Sequence, residues 1–128
     1  MKQGQIMDAS GALLSQVALT SSAWERMRGL LGRAEPGTQE GFLIKPCNMV
    51  HTAFMRYSID VVFLDKLGCI LAIHEKLAPW KIAVCLKAKM ALELRYGSVQ
   101  KLKLELSEQL LWESHQLEVS PNKVSSHF

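Results

Sequence analysis

"IDVVFLD", residues 59–65, decides the fold. It is an unbroken apolar run, rich in β-branched side chains and bounded by two aspartates. Such a run suits a strand buried on both faces. Outward from it, "DKLG" (65–68) is a turn, and "CILAIHEKL" (69–77) returns as the hairpin partner. "APW" (78–80) breaks the pattern, because Pro79 has no N–H to give a ladder. "KMALELRY" (89–96) then alternates. Met90, Leu92, Leu94 and Tyr96 are expected to point inward, and Lys89, Glu93 and Arg95 outward.

Upstream, "FLIK" (42–45) reads as a short strand after the loop "EPGTQEG" (35–41). "GQIMDASGALLSQVAL" (4–19) reads as two short strands around a turn at Asp8-Ala9-Ser10-Gly11. Between them "TSSAWERMRGLLGR" (20–33) reads as a helix: Ser22 and Glu25 form a capping box, and Gly32 closes the C-terminus. Trp24, Met27 and Leu31 share one face, and Arg28 lies at the edge of that apolar stripe. Arg26 and Arg33 point nearly opposite.

Val99–Leu106 alternates like a strand, yet its Leu, Lys and Glu also favour a helix, so both readings stay open. The polar end "ESHQLEVSPNKVSSHF" (113–128) is expected to be a flexible tail. The expected organisation is one domain over residues 1–113 and a tail over 114–128. The fold class is α+β, mainly β. It would be a small barrel-like or strongly twisted antiparallel sheet with one packed N-terminal helix.

Composition narrows the function classes. The chain has 128 residues, enough for one core, and no apolar run approaches the ~20 residues of a membrane span. The N-terminus lacks the apolar stretch of a secretory signal, so a cytoplasmic location is expected. Three widely spaced cysteines (Cys47, Cys69, Cys85) make a poor disulfide framework, and no C-x-x-C pair is present. A net charge of +3 is too modest to indicate nucleic acid. It is unevenly spread: Lys81, Lys87, Lys89, Arg95, Lys101 and Lys103 face only Glu93 in their stretch, before an acidic end.

The order of "RMRGLLGR", "FM", "IDVVFLD", a proline and "LEL-x-x-G" resembles the bacterial and archaeal DUF192 family, from about Thr20 to Trp112. Matched positions are Arg26, Arg28, Gly29, Leu30, Arg33, Met55, Asp60, Asp65, Pro79, Glu93 and Gly97. The resemblance implies a compact, mostly β fold with one packed helix, and no established activity. Two departures stand out: Phe54 where the family commonly has tryptophan, and Ser107-Glu108 where it often has Gly-Asp.

"CNMVHTAFM" (47–55) carries the densest chemistry. Cys47 and His51 could bind zinc or act as nucleophile and base. On an extended chain, however, four steps of ~3.3 Å separate them by about 13 Å, too far to share a metal. Only Cys69 and His74 are near enough to add ligands, so the pair is a weak metal candidate and no cofactor is expected. A triad with Asp60 or Asp65 lacks any nucleophile or oxyanion signature.

Arg28 would need Asp60, Asp65, Glu93 or an anionic ligand as partner. Trp80 either lids the core or stands exposed for recognition. The reading is a non-enzymatic ligand- or protein-binding accessory module with a groove near His51, Trp80 and Arg28, lined also by Thr52, Met55, Asp60 and Glu93. Its partner would be a protein or a small anionic ligand rather than nucleic acid, with a nucleic-acid accessory protein as a third reading. The alternative is a metal- or thiol-dependent enzyme centred on Cys47 and His51.

Overall fold

The structure, a computed structural model, describes residues 2–21 and 35–115. Its elements run β1 (Lys2–Asp8), β2 (Gly11–Thr20), β3 (Glu40–Ile44), β4 (Met49–His51), β5 (Ile59–Leu64), β6 (Ile70–Leu77), β7 (Ile82–Val84), β8 (Met90–Arg95), α1 (Ser98–Leu102) and β9 (Leu111–Ser114). Seven strands form one sheet in the order β6-β5-β8-β3-β2-β1-β9, and β4 pairs with β7 in a separate ribbon.

β5 is buried along its whole length, as its apolar run requires. It lies between β6 and β8, and both faces of the sheet are covered. Val62 and Leu64 join Leu43, Leu92 and Leu94 on one face, where Val99 and Leu104 pack. Val61 and Phe63 join Phe42 and Ala91 on the other, against Val50, Met55 and Ala83. Each large apolar side chain so buried contributes roughly 1.5–3 kcal/mol.

The β1–β2 turn forms where Asp8 and Gly11 place it. The Asp8 carboxylate accepts from Ser10 Oγ (2.6 Å) and Ser10 N (2.8 Å). The Ser10 hydroxyl bond, with that backbone bond second, holds this carboxyl below its ordinary range.

Several expectations meet a different outcome. The sheet is mixed rather than antiparallel, because β2 and β3 run parallel with Val17 beside Gly41 and Leu19 beside Leu43. Parallel neighbours need a long crossover, which the chain between Thr20 and Glu40 supplies. The N-terminal helix expected there falls at 22–34, outside the described residues, and the helix they do contain is α1, in the C-terminal half.

Nor is the sheet closed into a barrel: β6 and β9 are its edges. A single bridge between Cys69 and Gln109 joins the chain ahead of each edge, flanked by Leu110 N donating to Gly68 O (2.8 Å). Finally, Glu93 does not point to solvent. It is 3% exposed, and Tyr96, expected inward, is half exposed. β8 is central, with β3 and β5 on either side, so its alternation separates two different interiors rather than core from water.

The open segment Val99–Leu106 begins as α1, preceded by Gly97 (φ 94°) and ended by Lys103 (φ 57°). Asp60, on the face of β5 that meets α1, fixes its start. Its carboxylate accepts from Gly97 N (3.0 Å), Val99 N (3.0 Å) and Lys76 N (2.9 Å).

Candidate functional site

The β4–β7 ribbon covers one face of the sheet. Its register sets Met49 opposite Val84, Val50 opposite Ala83 and His51 opposite Ile82. Val50 and Ala83 turn down into the core. By the strand period, Met49, His51, Ile82 and Val84 take the other side. Met49, Ile82 and Val84 are exposed there, and His51 is half-buried.

Thr52, fully buried, ties the ribbon's end together. Its N–H donates to Lys81 O (2.9 Å), and its hydroxyl donates to Ala78 O (2.6 Å) and accepts from Lys81 N (2.9 Å). Its carbonyl accepts from Trp80 N (3.1 Å) and Met55 N (3.2 Å). This clamp binds the turn after β4 to the turn before β7.

Those turns present two aromatic rings to solvent. Phe54 and Trp80 are 60% and 64% exposed, and their centroids are 4.7 Å apart at a 60° tilt. Both residues adopt left-handed backbone, with φ of 67° and 64°. That region is uncommon for bulky side chains and marks a position worth explaining. Leu86, 79% exposed, extends the apolar surface beyond Val84.

The sequence that forms this surface carries charge of one sign. Residues 41–59 and 76–92, which include the whole ribbon and its turns, contain no Asp or Glu. They do contain six exposed cations: Arg56, Lys81, Lys87 and Lys89 flank the ribbon in sequence, whereas Lys45 lines a cavity on the far face of the sheet and Lys76 lies over the Tyr96 ring.

His51, Thr52 and Trp80 are thus brought together, with Met55 buried beneath them. Glu93 is buried on the sheet face that this layer covers, between Phe42 and Val61. Asp60 is not part of the site: it lies opposite Leu94, on the other face, and its oxygens serve backbone N–H groups. Asp65 likewise holds the β5–β6 turn, accepting from Leu67 N (2.8 Å) and Cys69 N (3.0 Å). Arg28 lies outside the described residues.

The Cys47 thiol donates to Met49 O (3.1 Å). Among the described residues no three His, Cys, Asp or Glu side chains converge on a metal-sized point. On the far face of the sheet a cavity of about 220 Å³ opens among Leu19, Leu43, Leu64 and Met90, with Lys45 and Lys66 in its wall.

Sequence reading missed Phe54, Met49, Ile82, Val84 and Leu86 as surface residues. The available signal was the pair of acid-free stretches, each carrying large apolar residues either side of a small or buried one.

A model of the family DUF192, described as "Uncharacterized ACR", matches residues 5–112. The chain belongs to the DUF192 family. Two solved structures share its fold. A Sinorhizobium meliloti 1021 protein, called a "putative transcription regulator", is 24% identical with a TM-score of 0.72. The match covers 87% of this chain and 92% of that one. A Novosphingobium aromaticivorans DSM 12444 protein of unknown function is 18% identical, also with a TM-score of 0.72, over 86% of this chain and 84% of that one. At these identities the likeness concerns the DUF192 fold alone. No curated protein matches the sequence. Among the described residues no helix is long and apolar enough to cross a membrane.

Proposed function

We propose that this DUF192 chain is a non-enzymatic binding module whose contact surface is the outer face of the β4–β7 ribbon, centred on Phe54, Trp80 and His51. The observation that carries the reading is the exposed Phe54–Trp80 pair, held at left-handed backbone beside aliphatic side chains, in stretches of sequence that carry cations and no acid. Exposed apolar groups gathered on one face mark interaction surfaces, and a one-signed rim selects partners of opposite charge. The expected partner is therefore anionic.

The test compares wild type with Phe54→Ser/Trp80→Ser on three immobilised anionic surfaces: an acidic amphipathic peptide, acidic lipid and single-stranded DNA. Support is retention of the wild type on at least one surface, lost by the variant while its unfolding midpoint stays put. Failure of the wild type on all three, or retention indifferent to the two rings, overturns the proposal.

A further inference from the structure

We infer that the partner of this face is an anionic lipid bilayer, on which the protein docks peripherally. The inference rests on the β4–β7 face being the binding surface and goes on to name its occupant.

The side chains themselves separate the candidates. Single-stranded nucleic acid stacks its bases on aromatic rings, and Phe54 and Trp80 would serve that. Met49, Ile82, Val84 and Leu86 would not, because aliphatic groups offer a base no π-face and would be held against a charged backbone. A bilayer uses both kinds. Aliphatic side chains enter the acyl boundary, while tryptophan places its apolar ring and its N–H at the headgroup level.

Charge separates lipid from protein. Protein–protein interfaces are depleted in lysine relative to the rest of the surface, whereas lysines border this one. Here 36 residues in two stretches carry six cations and no acid. A surface of uniform negative charge matches that pattern. Each basic side chain near such a surface strengthens attraction by roughly five-fold. Stable attachment without a spanning helix takes two signals, an apolar anchor and a basic patch. The ribbon and its flanking turns supply both, the exposed rings and aliphatic side chains and, beside them in sequence, exposed Arg56, Lys81, Lys87 and Lys89.

The backbone adds a third strand to the argument. Left-handed φ at Phe54 and Trp80, locked by Thr52, aims both rings away from the core. Anchors that must enter a bilayer without unfolding the protein need such fixed, outward placement.

The experiment uses the full chain with two kinds of vesicle, phosphatidylcholine alone and phosphatidylcholine containing phosphatidylglycerol. Co-sedimentation and tryptophan emission are read together. Wild type is expected to sediment with the anionic vesicles at least about ten-fold more than with neutral ones, given the four cations Arg56, Lys81, Lys87 and Lys89 beside the ribbon. Its emission should shift to the blue, and Trp80→Ala should lose that shift. Lys81→Gln/Lys87→Gln/Lys89→Gln should weaken binding by roughly a hundred-fold.

Should the ring variants fail to fold, brominated lipid supplies the same answer on wild type, by quenching emission on contact. No sedimentation with anionic vesicles, equal binding to neutral ones, or no quenching each overturns the inference. If vesicles fail while an acidic peptide is still held through Phe54 and Trp80, the lipid assignment falls and the binding-module reading stands. If peptide, lipid and DNA all fail, both fall.

Discussion

Trp80 and Phe54 hold backbone conformations that are uncommon for bulky side chains. Left-handed backbone costs an ordinary residue roughly 1–2 kcal/mol, while a ring–ring contact returns about 0.5–1.5 kcal/mol. The two nearly cancel, so stability alone does not explain large rings at φ 64° and 67°. Asparagine tolerates this region better, and Trp80→Asn should leave stability within about 1 kcal/mol of wild type, or raise it. Urea unfolding decides the matter, and a loss clearly beyond that range would mean the ring supports the fold rather than a partner.

Thr52 is the opposite case, with a buried hydroxyl that both donates and accepts. Thr52→Val keeps the shape and strands two backbone groups, so a loss of about 1–3 kcal/mol is expected. Thr52→Ser should recover most of it, and equal losses for the two would show that the methyl matters more than the hydroxyl. Thr52, His51 and Trp80 could be named as candidates from the sequence because their residue types imply polar or amphipathic roles. Phe54 was not, since nothing in a phenylalanine's identity announces positive φ.

At the scale of elements, length governed what could be read. β5, β6 and the β1–β2 hairpin were legible, being long runs bounded by turn residues. β4 and β7 have three residues each, too few for a period to show, and the site is built on them. On β8 the alternation was seen and misassigned, because period two says that the faces differ and not that one is wet.

α1 could not be told from a strand, because what starts it is non-local. Asp60, 37 residues before Gly97, accepts the N–H groups at its beginning. Asp60→Asn would keep one acceptor oxygen and turn an NH₂ toward backbone donors. It should destabilise by about 2–3 kcal/mol, as a bond to a charged acceptor is lost. Amide exchange at Val99 or Lys76 should rise with it. Unchanged exchange at both, with stability intact, would show that water replaces the carboxylate. Gly68 (φ 87°) is the second constraint, since any Cβ there would strike the Leu110 carbonyl at the bridge between the sheet edges. Gly68→Ala should therefore open that end, read as faster exchange of the Leu110 amide, which bonds Gly68 O. Protection equal to wild type would show that the bridge can shift to admit the methyl.

For the whole molecule, a net charge of +3 conceals a division: the two acid-free stretches carry six cations, so the remainder carries a net −3. Cations close in sequence on one exposed layer, such as Lys81, Lys87 and Lys89, repel each other, and such self-repulsion destabilises a compact state. The layer is nonetheless folded, held by Val50, Met55 and Ala83 beneath it and by the Thr52 clamp. Its charge should then be a measurable burden. Raising salt shortens the screening length from about 10 Å at 0.1 M to about 3 Å at 1 M, which weakens repulsion between side chains on neighbouring turns. Salt also strengthens apolar burial, so the midpoint of wild type alone cannot separate the causes. Lys81→Gln/Lys87→Gln can, because it removes charge and leaves burial unchanged. At low salt this variant should unfold at a higher midpoint than wild type, and the gap should shrink toward zero at 1 M. A gap that persists at high salt would assign the gain to helix or strand preference instead. A variant less stable than wild type at low salt would mean that these lysines are engaged in attractive contacts, and that the positive face is part of the fold's own electrostatics.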